Sequence, residues 1–174
     1  MKIFDCFMFY DEELLLDIRL NILDKYIDFF VIVESEYFHN GKRRQLKFNI
    51  NKFKKFEKKI IYIVQKNEPL GIIKINDKED EDTKSYKLIT NAHLRENDQR
   101  NYISKGLTEA DNNDLILISD VDEIPNFNSI DLSRVKNQIV MFEQEIFYYK
   151  FNRYLANFKW FGTKACKKKK LISP

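Results

Sequence analysis

The sequence predicts an α/β fold with a mostly parallel central sheet and helices on both sides. Three observations carry that expectation. Short apolar runs alternate with longer stretches that suit helices, the pattern of β-α-β units. The run Leu115-Ile116-Leu117-Ile118 is apolar throughout, as a strand buried on both faces must be. It ends abruptly in Ser119-Asp120-Val121-Asp122-Glu123-Ile124-Pro125, and open α/β sheets place their ligand sites at the carboxyl ends of such strands.

Taken in order, Lys2 to Tyr10 is rich in aromatic residues and reads as the first strand. Asp11-Glu12-Glu13 opens a helix, because acids in a first turn suit the helix dipole. Leu14, Ile18, Asn21 and Ile22 fall on one expected helical stripe, with Leu15 beside it. Asp28 to Ser35 is a second buried strand that ends in a polar pair, Glu34-Ser35. His39-Asn40-Gly41 signals a turn. Asn51 to Lys59 reads as a short basic helix and Ile60 to Val64 as a third strand. Residues 66–83 hold Pro69, Gly71 and the acidic run Asp77 to Asp82, and read as a partly mobile loop or insertion. Thr83 to Ala110 is mostly helical, more strongly from Asn91 onward, with Gly106 a soft spot. After the central strand, Gln138 to Phe151 forms one long β-prone stretch. Glu143 and Glu145 interrupt it two apart, on one face. The tail carries Trp160-Phe161-Gly162-Thr163 and ends in lysines. No repeat or linker divides the chain, so one domain is expected over residues 1–174.

Composition narrows the function classes. A hydrophobic share of 44% in 174 residues supports a real core. Thirty basic and 27 acidic residues give a net charge of only +3, too balanced for nucleic acid as the main partner. The basic clusters at Lys52 to Lys59 and Lys167 to Lys170 read first as a solvated helix face or a tail, and second as a patch for an anionic ligand or membrane. Two cysteines, Cys6 and Cys166, have no zinc or disulfide spacing, which fits a reducing compartment. No apolar run is long enough for a transmembrane segment, and the start does not read as a signal peptide. Serine or cysteine triads are poorly supported, because His39 and His93 are the only histidines and neither lies near a nucleophile turn. The sequence has no Walker loop and no Gly-x-Gly-x-x-Gly, and four glycines leave little room for a phosphate-cradling loop.

The acidic end of the central strand is the main chemical signal. In an extended chain Asp120 and Asp122 point to one side, and two hard oxygen donors so placed can hold Mg²⁺ or Mn²⁺ beside a phosphate-bearing ligand. A solvated acidic turn is the plainer reading. Glu34 repeats the pattern at another strand end, either as a contact to a nucleotide base or ribose or as a loop residue that caps something nearby. Arg95 and Arg100, on the helix before the central strand, either grip a phosphate or form surface salt bridges.

Further residues carry a resemblance. Arg95-Glu96-x-x-Gln99-Arg100-Asn101, Gly106-Leu107-x-x-Ala110 and Asp114 through Pro125 resemble glycosyltransferase family 17. So do Phe4-Asp5-Cys6-Phe7, Phe30 to Ser35 and Trp160-x-Gly162-Thr163-Lys164. That is the family of the β-1,4-mannosyl-glycoprotein β-1,4-N-acetylglucosaminyltransferases, which add the bisecting GlcNAc. The resemblance implies a GT-A-like, Rossmann-like fold and a DxD motif that binds metal and a nucleotide sugar. Asp120 and Asp122 match the two acids of that motif. Asp120 would serve both metal and donor. Glu34, Arg95, Arg100 and Asn101 would complete the donor contacts. The position before Arg95, often Trp in the family, is Leu94. Family domains also run past residue 174, so a truncated or minimal member is expected.

The resulting expectation is a metal-dependent, inverting transferase. It would move a sugar, GlcNAc by resemblance, from a UDP-linked donor to a glycan or lipid-linked sugar acceptor. The cofactor is Mn²⁺ or Mg²⁺, the location cytoplasmic, and the catalytic base Glu145 or Glu143. These two glutamates would otherwise be cross-strand partners of lysines. Trp160 either stacks on a sugar or packs in the core. The rivals are a non-catalytic nucleotide-sugar or glycan binder and a DxD phosphatase or phosphotransferase.

Overall fold

The computed structural model describes residues 1–128, 130–150 and 152–174. One six-stranded sheet organises them. Its strands are β1 (Ile3–Phe9), β2 (Phe29–Ser35), β3 (Ile60–Gln65), β4 (Leu115–Ser119), β5 (Val140–Gln144) and β6 (Trp160–Lys167), in the spatial order β3-β2-β1-β4-β6-β5. Two α-helices accompany them, α1 (Glu13–Leu23) and α2 (Glu81–Asn101). Short 3₁₀ turns fill Ile50–Lys59, Tyr102–Leu107, Leu132–Arg134 and Lys168–Lys170.

The α/β class is as expected, but the sheet is mixed. The β3-β2, β2-β1 and β1-β4 ladders are parallel, while β4-β6 and β6-β5 are antiparallel. The cause lies in the connections. Parallel neighbours need a crossover of a dozen or more residues, usually a helix, whereas antiparallel ones need only a return. Helical segments separate the first four strands. Among the described residues between β4 and β6, the only helical segment is the 3₁₀ turn Leu132–Arg134.

Alternation along the buried strands builds two cores, one on each face. Phe7, Phe9, Phe30, Ile32, Leu115 and Leu117 pack with Leu16, Leu20 and Leu23 of α1 and with Phe53 and Phe56. Phe4, Cys6, Val31, Val33 and Ile116 pack on the other face with Ile103 and Leu107. Gly106 belongs to this second layer. A Cβ there would collide with the Val31 side chain, so close packing, rather than helical weakness, explains the glycine.

Three expected elements change. The buried stripe of α1 is Leu16, Arg19, Leu20 and Leu23, whereas Leu14 and Ile22 are exposed. Helix α2 starts at Glu81, where Asp80 caps it by accepting from Thr83 N–H at 2.8 Å, and it tightens into a 3₁₀ turn from Tyr102. Its buried side chains are polar: Asn91, Arg95 and Gln99. The long last stretch shortens to β5, with a register shift between Met141 and Glu143. Its expected end, Phe151, lies outside the described residues. Among the described residues no helix is long and apolar enough to cross a membrane.

Candidate active site

The site forms where β1 and β4 lie side by side. The chain leaves β1 toward β2 on one flank and returns to β4 on the other, so their carboxyl ends flank the crevice in which such sheets bind ligands. β4 stops at Ser119, and residues 120–124 fold into a turn. Glu123 N–H donates to the Asp120 carbonyl and Ile124 N–H to that of Asp122, both at 3.1 Å. Asp120 and Asp122 therefore stand on a turn rather than an extended strand, yet both still face the same open space.

Three clefts meet there. The first, about 700 Å³, runs from Tyr10 at the end of β1 past Tyr37, Phe38, His39 and Asn40 to Asp120 and Asp122. The second, about 380 Å³, is bounded by Leu15, Asp122, Glu145, Phe147 and Trp160, with Asp120 at its edge. The third, about 550 Å³, lies beside Arg100, Asp120, Trp160 and Lys164. Asp120 is common to all three.

Of the sequence-predicted residues, Asp120, Asp122 and Arg100 come together. Arg100 Nη2 donates to Asp120 Oδ1 at 3.0 Å and also lies 3.6 Å from Glu96. The Asp120 side chain keeps half its surface exposed. Glu145 joins them across the second cleft. Glu143 turns away, pairing with Lys159 at 3.1 Å beside a separate hollow. Asn101 is exposed at the end of α2 and lines none of the three clefts.

Two expected donor contacts work inside the protein instead. Glu34 is fully buried, and both its oxygens are taken. Oε1 accepts Lys47 N–H at 2.6 Å and faces Arg44 Nη2 at 3.1 Å. Oε2 accepts Phe48 N–H at 3.0 Å and the Tyr62 hydroxyl at 2.7 Å. These four contacts satisfy the carboxylate within the protein. Burial and the adjacent Glu34 push the Tyr62 phenol upward, so it stays a donor. Arg95 grips Glu68 with Nε and Nη2 and donates to the His39 carbonyl at 2.9 Å. It fixes the loop that walls the first cleft but does not line that cleft.

Sequence reasoning missed two residues that hold the turn. Glu123 Oε2 accepts Asp120 N–H at 2.8 Å and Oε1 accepts the Trp160 indole N–H at 2.7 Å. Arg19 reaches the turn from beneath, its guanidinium fully buried against Asp5. The available signals were a charge inside a leucine stripe and an acid in the middle of a buried strand. Trp160, 43% exposed, is neither plain core nor free.

The site thus offers two exposed carboxylates, an arginine and an aromatic-walled cleft at one sheet edge. The glycosyltransferase family 17 model matches residues 1–170. The chain belongs to glycosyltransferase family 17. Comparison with curated proteins and with solved structures returned no match. Membership makes this family 17 protein a transferase that takes a sugar from a donor to an acceptor. It favours sugar transfer over the phosphatase reading of the Asp-x-Asp sequence.

Proposed function

We propose that this family 17 protein is a metal-dependent, inverting glycosyltransferase using a UDP-linked sugar, with GlcNAc as the transferred residue. One observation carries the reading: Asp120 and Asp122 border an aromatic-walled cleft of about 700 Å³ at the carboxyl ends of β1 and β4, and Arg100 holds Asp120 from the neighbouring cleft. Tyr10, Tyr37 and Phe38 supply aromatic surface for a uridine, and Arg100, bonded to Asp120, supplies a cation for its diphosphate.

The donor set suits a hard divalent cation. Asp120 and Asp122 are oxygen ligands from one turn, and among the described residues no third carboxylate, histidine or cysteine completes a metal-binding group with them. Mg²⁺ is commonly held by one or two carboxylates plus substrate phosphates and water. The chemistry that Mn²⁺ or Mg²⁺ supplies when bound there is charge neutralisation on a departing diphosphate.

The protein's own groups do the rest. Arg100 offers two-pronged hydrogen bonding to phosphate oxygens once it shares or releases Asp120. Glu145, across the second cleft, takes the proton from an acceptor hydroxyl as that oxygen attacks the anomeric carbon from the face opposite the diphosphate. One displacement inverts the anomeric configuration. Trp160 and Phe147 line the second cleft with Glu145 and supply aromatic surface for a sugar acceptor, a glycan or a lipid-linked saccharide.

The test is a thermal shift with UDP and UDP-GlcNAc, each with Mn²⁺ and with EDTA, followed by transfer assays. Stabilisation should require Mn²⁺ and disappear in Asp122→Ala, which removes an exposed side chain at little stability cost. Glu145→Gln should keep donor binding and lose transfer. Equal binding of UDP-sugars with and without metal sinks the metal assignment. Metal-dependent binding without transfer or donor hydrolysis favours a non-catalytic binder.

A further inference from the structure

We propose that Arg19 is the positioning residue of the carboxylate turn, setting where Asp120 and Asp122 stand and thereby the affinity of the site for cation and donor. The affinity clause rests on the proposed function; the positioning does not.

Arginine has five N–H bonds in a rigid fork, and here every one is engaged. Nε donates to Asp5 Oδ2 at 2.8 Å, and Nη2 donates to Asp5 Oδ1 at 2.6 Å and to Ser119 Oγ at 2.5 Å. Nη1 faces the carbonyls of Asp120, Val121 and Glu123 at 3.0, 3.2 and 2.9 Å. The Phe7 ring lies 4.6 Å from the guanidinium carbon and helps fix its plane.

The consequence is directional. Three carbonyls of one turn are drawn inward to a single nitrogen, and Val121 is buried in the same layer. The Asp120 and Asp122 side chains are left on the open side, where they border the first and second clefts. Arg19 and Asp5 are both fully buried, so neither can touch a ligand. Arg19 acts only through the turn. Buried ion pairs can often be replaced by apolar residues of similar volume at no loss of stability. A task in placing the turn gives this one a reason to exist. Lysine, a point cation with three donors on a flexible stem, cannot span a carboxylate, a hydroxyl and three carbonyls at once.

Three measurements on the full chain test this. In the wild-type protein, amide exchange at Glu123 and Ile124 should be slowed as it is in β4. Two variants follow, Arg19→Lys and the pair Asp5→Leu with Arg19→Met, which leaves no lone buried charge. Both should keep far-UV dichroism, speed exchange at Glu123 and Ile124, and weaken Mn²⁺-dependent UDP binding by about tenfold or more. Wild-type exchange at those two amides in a folded variant overturns the positioning role. A loosened turn with unchanged UDP affinity overturns the link to binding. If the wild-type protein binds no UDP with Mn²⁺, the proposed function fails while the exchange result still decides the role of Arg19. If neither variant folds, the wild-type exchange decides alone, and free-loop rates there refute the proposal.

Discussion

Glu34→Gln separates two roles for one carboxylate. The change keeps the volume and removes the charge. In the wild-type protein each oxygen serves two donors, Lys47 N–H and Arg44 on one side, Phe48 N–H and Tyr62 on the other. A glutamine carbonyl can satisfy one pair only, and its NH₂ then faces the other. The Tyr62 hydroxyl can turn to accept, but a backbone N–H cannot. Arg44, only 4% exposed, also loses its counter-charge. Removing one partner of a buried pair costs about 3–5 kcal/mol. For a domain of this size each kcal/mol moves Tm by about 2–4 °C, so Tm should fall by roughly 6–20 °C. Thermal melting followed by far-UV dichroism reads this directly. Adding Arg44→Met should recover part of the loss, because the uncompensated charge goes with it. A Tm within about 2 °C of wild type, combined with weakened UDP binding, would refute the reasoning and make Glu34 a ligand contact.

Two further outcomes are expected. In Gly162→Ala the new Cβ would stand 2.7 Å from Glu123 Cδ and Oε1 and closer still to Gln144, while Asp120 N–H and the Trp160 indole hold Glu123 in place. Overpacking of this kind costs about 1–3 kcal/mol, and Mn²⁺-dependent UDP binding should weaken in the same sample; an unchanged protein would show that Glu123 moves freely. Stability should also decline in alkali. Burial raises the Cys6 thiol well above its ordinary 9.0 and, with Glu34, raises the Tyr62 phenol above its ordinary 10.0. The unfolded chain therefore loses these protons first, so the contribution is full below about pH 9 and is lost above it. Denaturant melts between about pH 7 and pH 11 should show the decline, with an earlier part missing in Cys6→Ala.

The strands of the parallel half were legible because an unbroken apolar run has few other uses. The phase of α1 was not. Leu14, Leu15, Leu16, Ile18, Leu20, Ile22 and Leu23 surround the helix, so periodicity alone allows more than one stripe. Arg19 was the useful marker, readable only once Asp5 is placed opposite it. The last long strand was overextended because aromatic residues are β-prone, whereas pairing depends on a partner, and β5 stops opposite Trp160, the first residue of β6. At the site, the Asp120-Asp122 turn and Arg100 were visible as local patterns. The roles of Glu34 and Arg95 were not, since each is decided by a segment remote in sequence, Arg44 to Phe48 in one case and Glu68 with His39 in the other. The aromatic wall at Tyr37 and Phe38 left only a turn signal.

The pairing of β1 with β4 has a consequence for the order in which the molecule can assemble. Lys2 N–H meets Asp114 Oδ1 at 2.7 Å across 112 residues of chain. On a ribosome β1, α1, β2 and β3 emerge first, with Asp5 of β1 and Arg19 of α1 already opposed. The hydroxyl and three carbonyls that complete the guanidinium's shell belong to residues synthesised much later. Until they arrive, the nascent half must shelter or hydrate a charge it cannot fully satisfy, at a cost. Closing the long β1-β4 loop is entropically slow, and the same event seals that charge and presents the carboxylates. A chain arrested before β4 should thus be a client for chaperones, and the ability to bind donor should appear together with the last step of folding.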